Sequence, residues 1–222
     1  MRSGLVSPLM ASTYRVAGVI LAGGRSTRMG GHDKALVTLA GRSLLRHAID
    51  RLRPQVNRLA LNANGDPARF EGLGLPVFGD TIAGFVGPLA GIFAALSWAQ
   101  RQRPMLEAIV TAAVDTPFFP LDLVQRLATA AAGRTGIAVA RSRGRIHPVF
   151  ACVPTDCARD LEDFLRRAES RKVTDWLDRA GFAAVDFAGG EGTHDPFFNI
   201  NAPADLALAE ALIMRDHWEG NP

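Results

Sequence analysis

The chain has 222 residues, a formal net charge of +3 and a hydrophobic content of 48%, which is typical of a folded globular protein. These values exclude a disordered chain, and since no long run of Lys or Arg occurs, they argue against a nucleic-acid-binding protein. The mild positive charge suits small anionic substrates. The sequence also predicts no membrane association, because no run of about 18 apolar residues is present.

The N-terminal segment and the cysteines indicate a cytoplasmic protein. Residues 1–14 lack a sustained apolar region, and we interpret them as a loose leader rather than a secretory signal peptide. The two cysteines, Cys152 and Cys157, are a poor zinc signal without a second pair. We interpret them as free thiols in a reducing compartment.

Apolar runs of strand length alternate with segments of helical periodicity along most of the chain. The runs that predict strands lie at 16–21, 57–62, 76–79, 106–114, 136–141, 147–152 and 182–187. The segments that predict helices lie at 44–53, 67–71, 88–102, 121–132, 155–168, 172–179 and 203–217. This alternation is typical of right-handed βαβ units, so the sequence predicts a single α/β domain with a mostly parallel sheet.

We expect this domain to extend over residues 15–218. Its first half, residues 15–132, contains a glycine-rich loop and the most apolar predicted strand, and we assign nucleotide binding to it. The pattern changes in residues 133–218, where a basic loop at 141–146 lies between two strands. We assign binding of the acceptor substrate to this second half.

A glycine-rich loop follows the first predicted strand. It lies within LAGGRSTRMGGHDK, from Leu21 to Lys34, which contains four glycines and the cations Arg25, Arg28 and Lys34. Glycines allow the backbone to turn sharply and approach a ligand, and successive N–H groups form an anion-binding concavity. The pattern matches neither of the common phosphate loops, G-x-x-x-x-G-K-[ST] and G-x-G-x-x-G. We interpret it as another kind of polyphosphate site, with an ordinary βα connection as the alternative.

Polar side chains end three further predicted strands. Asn62 ends the second strand, Asp80 the third and Asp115 the apolar central strand. Open α/β sheets bind their ligands at the carboxyl ends of the strands, so we expect these side chains to meet the glycine-rich loop at one edge. Each of them alone is also compatible with a turn or a helix cap.

The residue types at this edge suit transfer of an α-phosphoryl group. Such a transfer depends on charge stabilisation more than on covalent catalysis, and Lys34 and Arg28 supply cations for the phosphates. Asp115 offers a hard carboxylate ligand to Mg²⁺. Asp80 has two acceptor oxygens that match the paired N–H donors of guanine, so we hypothesise that Asp80 and Asn62 face the base or the ribose.

Several motifs together resemble the molybdenum cofactor guanylyltransferase family, from Leu21 to about Leu206. They are LAGGRSTRMGGHDK, LNANG, GDTIAGFVGPLAG, VDTPF, His147-Pro148 and FNINAP. Many nucleotidyltransferases share the first motif, but its combination with GPLAG, DTPF and the late N-I-N is more specific. The resemblance implies a Rossmann-like nucleotidyltransferase fold with three α/β/α layers. It implies transfer of GMP from GTP to the terminal phosphate of Mo-molybdopterin, with release of pyrophosphate.

The resemblance also implies roles for individual residues. Those that would bind the nucleotide are Leu21, Ala22, Gly23, Gly24, Lys34, Asn62, Asp80 and Asp115. Those that would bind the acceptor are Gly31, Gly87, Pro88, Lys172, Asn199 and Asn201. The catalytic residues would be Arg28, Lys34 and Asp115, with Asp115 as the Mg²⁺ ligand. For Lys172 a solvated helix start is the alternative, and the role of the basic loop stays open.

The choice of nucleotide depends on Gly23. CMP-transferring relatives tend to carry L-A-A-G where this chain has L-A-G-G, and the missing methyl group leaves room for a purine. Transfer of CMP is the first alternative, and a sugar-phosphate or isoprenoid nucleotidyltransferase is the second. A non-catalytic module that delivers the cofactor is a third. The expected partners are GTP, Mo-molybdopterin and client molybdoenzymes or their chaperones, and we expect a monomer.

Overall fold

A computed structural model of the chain describes residues 15–23, 33–82, 87–132, 136–167, 170–187 and 194–219. Within these ranges the strands are β1 (Val16–Leu21), β2 (Thr38–Leu39), β3 (Arg42–Ser43), β4 (Arg58–Asn62), β5 (Val77–Phe78), β6 (Ala108–Ala113), β7 (Ala138–Ser142), β8 (Arg145–Pro154) and β9 (Ala183–Asp186). The α-helices are α1 (Leu44–Leu52), α2 (Pro88–Gln100), α3 (Leu123–Ala131), α4 (Ala158–Arg167), α5 (Val173–Ala180) and α6 (Pro203–Glu219).

Seven strands form one sheet in the order β5-β4-β1-β6-β8-β7-β9. β1 is parallel to β4 and β6, and β4 is parallel to β5, as the sequence predicts. β9 is parallel to β7, whereas β8 is antiparallel to both β6 and β7. The sheet is therefore mostly parallel, with one antiparallel strand beside its centre.

Helices cover both faces of this sheet and produce the three expected layers. The side chains of β1 alternate between two apolar cores, with Val16 and Ile20 in the core that contains α1 and α3. Ala17, Val19 and Leu21 belong to the core that contains α2, α4 and α5. All five side chains are buried, which explains why this strand is apolar at successive positions rather than at alternate ones.

Two helix starts follow from local sequence signals. Ser43 caps α1, because its side chain accepts a hydrogen bond from the Arg46 N–H at 3.2 Å. Pro88 occupies the first turn of α2, where its missing N–H costs nothing. Gly87 precedes it with a φ of 130°, a conformation that residues with a side chain rarely adopt.

The sequence does not predict the short hairpin formed by β2 and β3. Each of its strands has two residues, which is too short for a hydrophobic period to be visible. Leu39 of this hairpin packs with Leu44, Ile200 and Ala209 in a small apolar cluster. The hairpin therefore helps to hold the start of α6 close to the carboxyl edge of the sheet.

The β7–β8 hairpin is longer than predicted, so the basic segment 141–146 is mostly strand. Its turn consists of Arg143 and Gly144, which have positive φ values of 47° and 75°. This geometry suits a two-residue hairpin loop, because it matches the twist of the flanking strands. Arg141 pairs with Asp186 at 2.6 Å.

Both cysteines are free thiols, as predicted. Burial raises the pKa of Cys152 to about 12, and burial together with the nearby Asp156 and Asp160 raises that of Cys157 to about 12. Because the thiolate is the reactive form, we expect neither thiol to react with a disulfide reagent at mildly alkaline pH until the protein is unfolded. Spectroscopic thiol counting with and without denaturant checks this expectation. Rapid labelling of the native protein would contradict it.

Among the described residues, no helix combines the length and the hydrophobicity that a membrane span requires.

Candidate active site

The carboxyl ends of the parallel strands lie side by side, as the sequence predicts. Leu21, the last residue of β1, is paired with Asn62 of β4 and with Ala113 of β6. A cavity of about 560 Å³ opens at this edge, within the range of small-molecule sites. The predicted site residues that line it are Leu21, Ala22, Gly23, Lys34, Asn62, Asp80, Gly87, Pro88, Asp115, Asn199 and Asn201.

The cavity lies where β6 and β8 diverge. The backbone pairing of these strands ends at Val110 and Cys152. Beyond that point the Thr111 hydroxyl donates a hydrogen bond to the Val149 carbonyl at 2.6 Å. Ala113 at the end of β6 and residues 145–150 of β8 then line the cavity. Because β8 is antiparallel to β6, the N-terminal end of β8 lies at the edge where β1, β4 and β6 have their C-terminal ends.

Lys34 and Asp115 form the charged centre of the cavity. The Nζ atom of Lys34 lies 2.7 Å from Oδ2 of Asp115 and 2.6 Å from Oδ1 of Asn201. The side chains of Lys34 and Asp115 are only 17% and 23% exposed, so solvent screens their charges less than at an open surface. Asn199 joins the centre because the Thr116 hydroxyl donates a hydrogen bond to its Oδ1.

Backbone contacts hold this centre in place. Asp33 caps the short 3₁₀ turn that begins at Lys34, by accepting a hydrogen bond from the N–H of the turn's second residue. The Ile200 N–H donates to the Asp115 carbonyl at 2.8 Å, which ties the segment 199–201 to the end of β6. The next α-helix, α3, begins at Leu123 with Asp122 in the N-cap position. Asp115 is therefore not a helix cap.

The donor set around Asp115 fits a divalent cation that is shared with a polyphosphate. Oδ2 of Asp115 is bonded to Lys34, whereas Oδ1 lies 3.3 Å from the Thr116 hydroxyl and retains lone pairs. Within the described ranges, no cluster of three or more His, Cys, Asp or Glu side chains could hold a metal alone. Mg²⁺ commonly binds through one or two carboxylates and completes its shell with phosphate oxygens and water.

A hydrogen-bonded network surrounds Asp80 in the cavity lining. Nδ2 of Asn62 and Nδ2 of Asn64 donate to its two carboxylate oxygens at 3.1 and 2.7 Å. The Asp80 N–H donates back to Oδ1 of Asn64 at 2.8 Å. This network orients the carboxylate at the cavity wall. Asn64 is not among the predicted site residues, although the LNANG motif contains it.

Two glycines flank the buried side chain of Asn62, which is 1% exposed. A Cβ atom on Gly91 would lie 2.6 Å from Oδ1 of Asn62, closer than real Cβ atoms approach. A Cβ atom on Gly23 would lie 3.4 Å from Nδ2 of Asn64 and 3.7 Å from Oδ1 of Asn62, which are tolerable contacts. A side chain at position 91 therefore forces Asn62 to shift, whereas the described residues leave room for an alanine at position 23.

His147 also lines the cavity and is linked to Asp195 through Ser142. Its Nε2 atom is 2.7 Å from Oγ of Ser142, and the Ser142 hydroxyl donates to Oδ1 of Asp195 at 2.8 Å. Burial lowers the pKa of His147; the charge of Asp195 opposes this shift and that of Arg145 adds to it. Burial acts to raise the pKa of Asp195, but hydrogen bonds from the Phe197 N–H and Ser142 outweigh it and lower that pKa.

Comparison with known proteins agrees with this geometry. Residues 18–180 match the model of the MobA-like NTP transferase domain. A molybdenum cofactor guanylyltransferase of Mesorhizobium japonicum is 52% identical over 200 residues, which cover 89% of this chain and 96% of the relative. One from Rhodopseudomonas palustris is 49% identical, with coverages of 93% and 98%. The chain belongs to the molybdenum cofactor guanylyltransferase family. It is therefore a nucleotidyltransferase.

Solved structures place the fold in the same group. The crystal structure of molybdopterin-guanine dinucleotide biosynthesis protein A from Archaeoglobus fulgidus has a TM-score of 0.69 and 25% identity, and the match covers 90% of this chain and 99% of that one. A 2-C-methyl-D-erythritol 4-phosphate cytidylyltransferase from Thermus thermophilus has a TM-score of 0.64 at 23% identity, with coverages of 90% and 99%. The second similarity supports the fold alone.

Four residues that the family resemblance assigns to the site are not part of the described lining. Gly24, Arg28 and Gly31 lie outside the described residues, so their roles stay predictions. Lys172 is exposed at the start of α5, where its N–H donates to Oγ of Ser170 at 3.1 Å. It does not line the cavity, and its role in binding the acceptor also stays a prediction.

Most of the contribution of β8 to the cavity lining is not predicted from the sequence. Residues 145–150 line the cavity, and of these only His147-Pro148 is part of a matched motif. The arginines of the basic segment have different surroundings. Arg145 lines the cavity, whereas Arg141 forms an ion pair with Asp186. Nothing in the local sequence shows that β8 is antiparallel to β6. That arrangement decides which end of the strand reaches the site.

Proposed function

We propose that this chain transfers GMP from GTP to the terminal phosphate of Mo-molybdopterin and forms molybdopterin guanine dinucleotide and pyrophosphate. The observation that carries the proposal is that one cavity joins the Lys34–Asp115 centre to Asp80 on one side and to Asn199 and Asn201 on the other. Along the cavity, this arrangement provides a nucleotide subsite, then a phosphate centre and then an acceptor subsite. The family membership of the chain supports the same reaction.

On the nucleotide side, Asp80 binds the guanine edge in this proposal. Its carboxylate accepts hydrogen bonds from the ring N–H and the exocyclic amino group of guanine, a donor pair that cytosine lacks. Asn62 and Asn64 hold the carboxylate in position through the hydrogen bonds described above. The backbone at 21–23 lies beside the base or ribose, where Gly23 leaves space for a purine.

At the centre, an oxygen of the acceptor phosphate attacks the α-phosphorus of GTP. A new P–O bond forms, the bond to the β-phosphate oxygen breaks, and pyrophosphate leaves with the electron pair. No protein nucleophile is required. Lys34 stabilises the negative charge on the phosphates, and Arg28 adds a second cation in this proposal. Mg²⁺ held by Asp115 would supply further charge neutralisation.

In this proposal residues 15–132 are the nucleotide half and residues 133–218 the acceptor half of a single domain. The leader predicted at 1–14 lies outside the described residues. The continuous seven-stranded sheet, which receives strands from both halves, supports a single domain. We also propose a cytoplasmic monomer that passes its product to client molybdoenzymes or their chaperones. Both cysteine thiols are free, which is compatible with a reducing compartment.

The decisive experiment is pyrophosphate release from GTP and, separately, from CTP, with Mg²⁺ and Mo-molybdopterin. Release with GTP, and little with CTP, is the expected result. Preferential release with CTP would retain the fold and the charged centre but overturn the assignment of the base. No release with either nucleotide, together with activity on a sugar phosphate, would overturn the assignment of the acceptor.

Substitution of Gly23 by alanine tests the base assignment. We expect the KM for GTP to rise about tenfold, because one methyl group in a tight pocket has an effect of this size. The KM for CTP should rise less or fall. The unfolding midpoint should be unchanged, because the added methyl group meets only tolerable contacts in the free protein. Steady-state kinetics with both nucleotides check this, and an unchanged ratio of GTP to CTP activity would contradict it.

A further inference from the structure

The hydrogen bonds around His147 determine which ring nitrogen carries the proton. A carboxylate only accepts, so the Ser142 hydroxyl uses its hydrogen on Asp195, at 2.8 Å. The Ser142 oxygen then faces Nε2 of His147, at 2.7 Å, with lone pairs alone. Nε2 must therefore be protonated. Since burial keeps the pKa of His147 below its ordinary value, the ring is neutral near pH 7 and Nδ1 carries a lone pair.

This lone pair is available to a ligand. Nδ1 of His147 makes no hydrogen bond with the part of the chain that the structure describes, and it is not among the buried polar atoms without a partner. His147 lines the cavity, and its ring stacks on the buried ring of Phe197 with centroids 4.4 Å apart. The Phe197 N–H donates to the same Asp195 oxygen at 2.9 Å, so one carboxylate anchors both rings.

Other side chains of the cavity lining present donors instead. Lys34 can only donate, so it holds the oxygen of Asn201 and leaves the NH₂ group of that amide for a ligand. Arg145 adds a guanidinium to the lining. These groups suit phosphate and carbonyl oxygens, whereas Nδ1 of His147 requires an N–H or O–H donor. A phosphate monoester near neutral pH is mostly a dianion, because its second pKa is about 6, and it offers no such proton.

We propose, on the basis of the proposed function, that Nδ1 of His147 accepts a hydrogen bond from a ring or amino N–H of the acceptor's pterin. Asp195, acting through Ser142, is a positioning residue that holds the imidazole in the accepting tautomer. His147 thereby distinguishes the heterocyclic end of the acceptor, which carries N–H donors, from its phosphate end, which carries none.

The first test measures the tautomer without any substrate. NMR of protein labelled with ¹⁵N in its histidine rings shows which nitrogen is protonated, and a His147→Gln variant assigns the signals. We expect Nε2–H in the native protein and in Asp195→Asn, which keeps an accepting oxygen. In Asp195→Ala the freed Ser142 hydroxyl can donate to Nε2, so the proton should shift toward Nδ1. A native Nδ1–H tautomer, or no difference between the two variants, would overturn the proposal.

The second test identifies the group that meets Nδ1. A reduced pterin without phosphate, hydroxymethyl-tetrahydropterin, is titrated into the labelled native protein, and inorganic phosphate into a parallel sample. We expect only the pterin to shift the Nδ1 resonance of His147. A shift with phosphate alone would overturn the proposal in favour of a phosphate contact, and the absence of any shift would also overturn it.

Kinetics separate this inference from the proposed function. Loss of one hydrogen bond should raise the KM for Mo-molybdopterin about tenfold in Asp195→Ala, with the KM for GTP unchanged and the native value largely restored in Asp195→Asn. If the native enzyme releases pyrophosphate and Asp195→Ala has a native KM for Mo-molybdopterin, the inference fails and the proposed function stands. If the native protein releases none from GTP, the proposed function fails, whatever the tautomer.

Discussion

Replacement of Asp115 by asparagine is expected to lower kcat roughly 10²–10³-fold, the effect typical of losing one preorganised charge-stabilising group. Asparagine has nearly the same size and can still accept a hydrogen bond from Lys34, whose Nζ lies 2.7 Å from the native carboxylate. It lacks the negative charge that would hold Mg²⁺ against the phosphates. The variant also removes the negative charge that lies beside Lys34 in a site that solvent screens only partly.

Pyrophosphate release at saturating substrates, as a function of Mg²⁺ concentration, measures this effect. A matched control is Asp122→Asn, which removes an exposed carboxylate that pairs with Arg126 and does not line the cavity. The control should retain native kcat, and far-UV circular dichroism should show that both variants are folded. Chelation of Mg²⁺ should abolish the native activity, and added Mg²⁺ should restore it. Native kcat in Asp115→Asn would mean that this carboxylate does not hold the metal.

Substitution of Gly91 by alanine is expected to destabilise the protein by about 1–3 kcal/mol, the usual cost of overpacking a well-packed interior. In an ordinary helix interior the same change stabilises by about 1 kcal/mol, so the sign itself is informative. The new methyl group would lie 2.6 Å from Oδ1 of Asn62, a buried side chain whose Nδ2 is bonded to the Phe78 carbonyl and to Asp80. Moving Asn62 breaks these bonds, so the KM for GTP should rise as well.

Urea unfolding of single and double variants tests this explanation. Ser97→Ala, at a half-buried position of the same helix, is the control for helix propensity and should change stability by no more than about 0.5 kcal/mol. In an Asn62→Ala variant the new methyl group at position 91 has no side-chain amide to collide with. Gly91→Ala should therefore reduce the free energy of unfolding by less, and we expect a coupling free energy between the two substitutions of about 0.5–3 kcal/mol. If Gly91→Ala is as stable as the native protein, the contact with Asn62 is not what keeps this position a glycine.

Most secondary structure could be predicted from the sequence because its signals are local. The apolar run at 16–21 coincides with β1, and Ser43 and Pro88 start the helices that their positions indicate. The convergence of Asn62, Asp80 and Asp115 could also be predicted, since each follows a parallel strand and parallel neighbours end at the same edge. These predictions need only the spacing of apolar residues, the residue types that cap helices and the direction in which the strands run.

By itself, the sequence determined the α/β order, the edge that carries the site and the cation and carboxylate that meet there. Only the tertiary structure decided that Asn201 contacts Lys34 across 167 positions of chain, that β8 brings His147 to the cavity, and that Gly91 must lack a side chain beside Asn62. The reason is physical: propensity, capping and amphipathic period act over a few residues, whereas these contacts exist only after helices and strands distant in the chain have packed together.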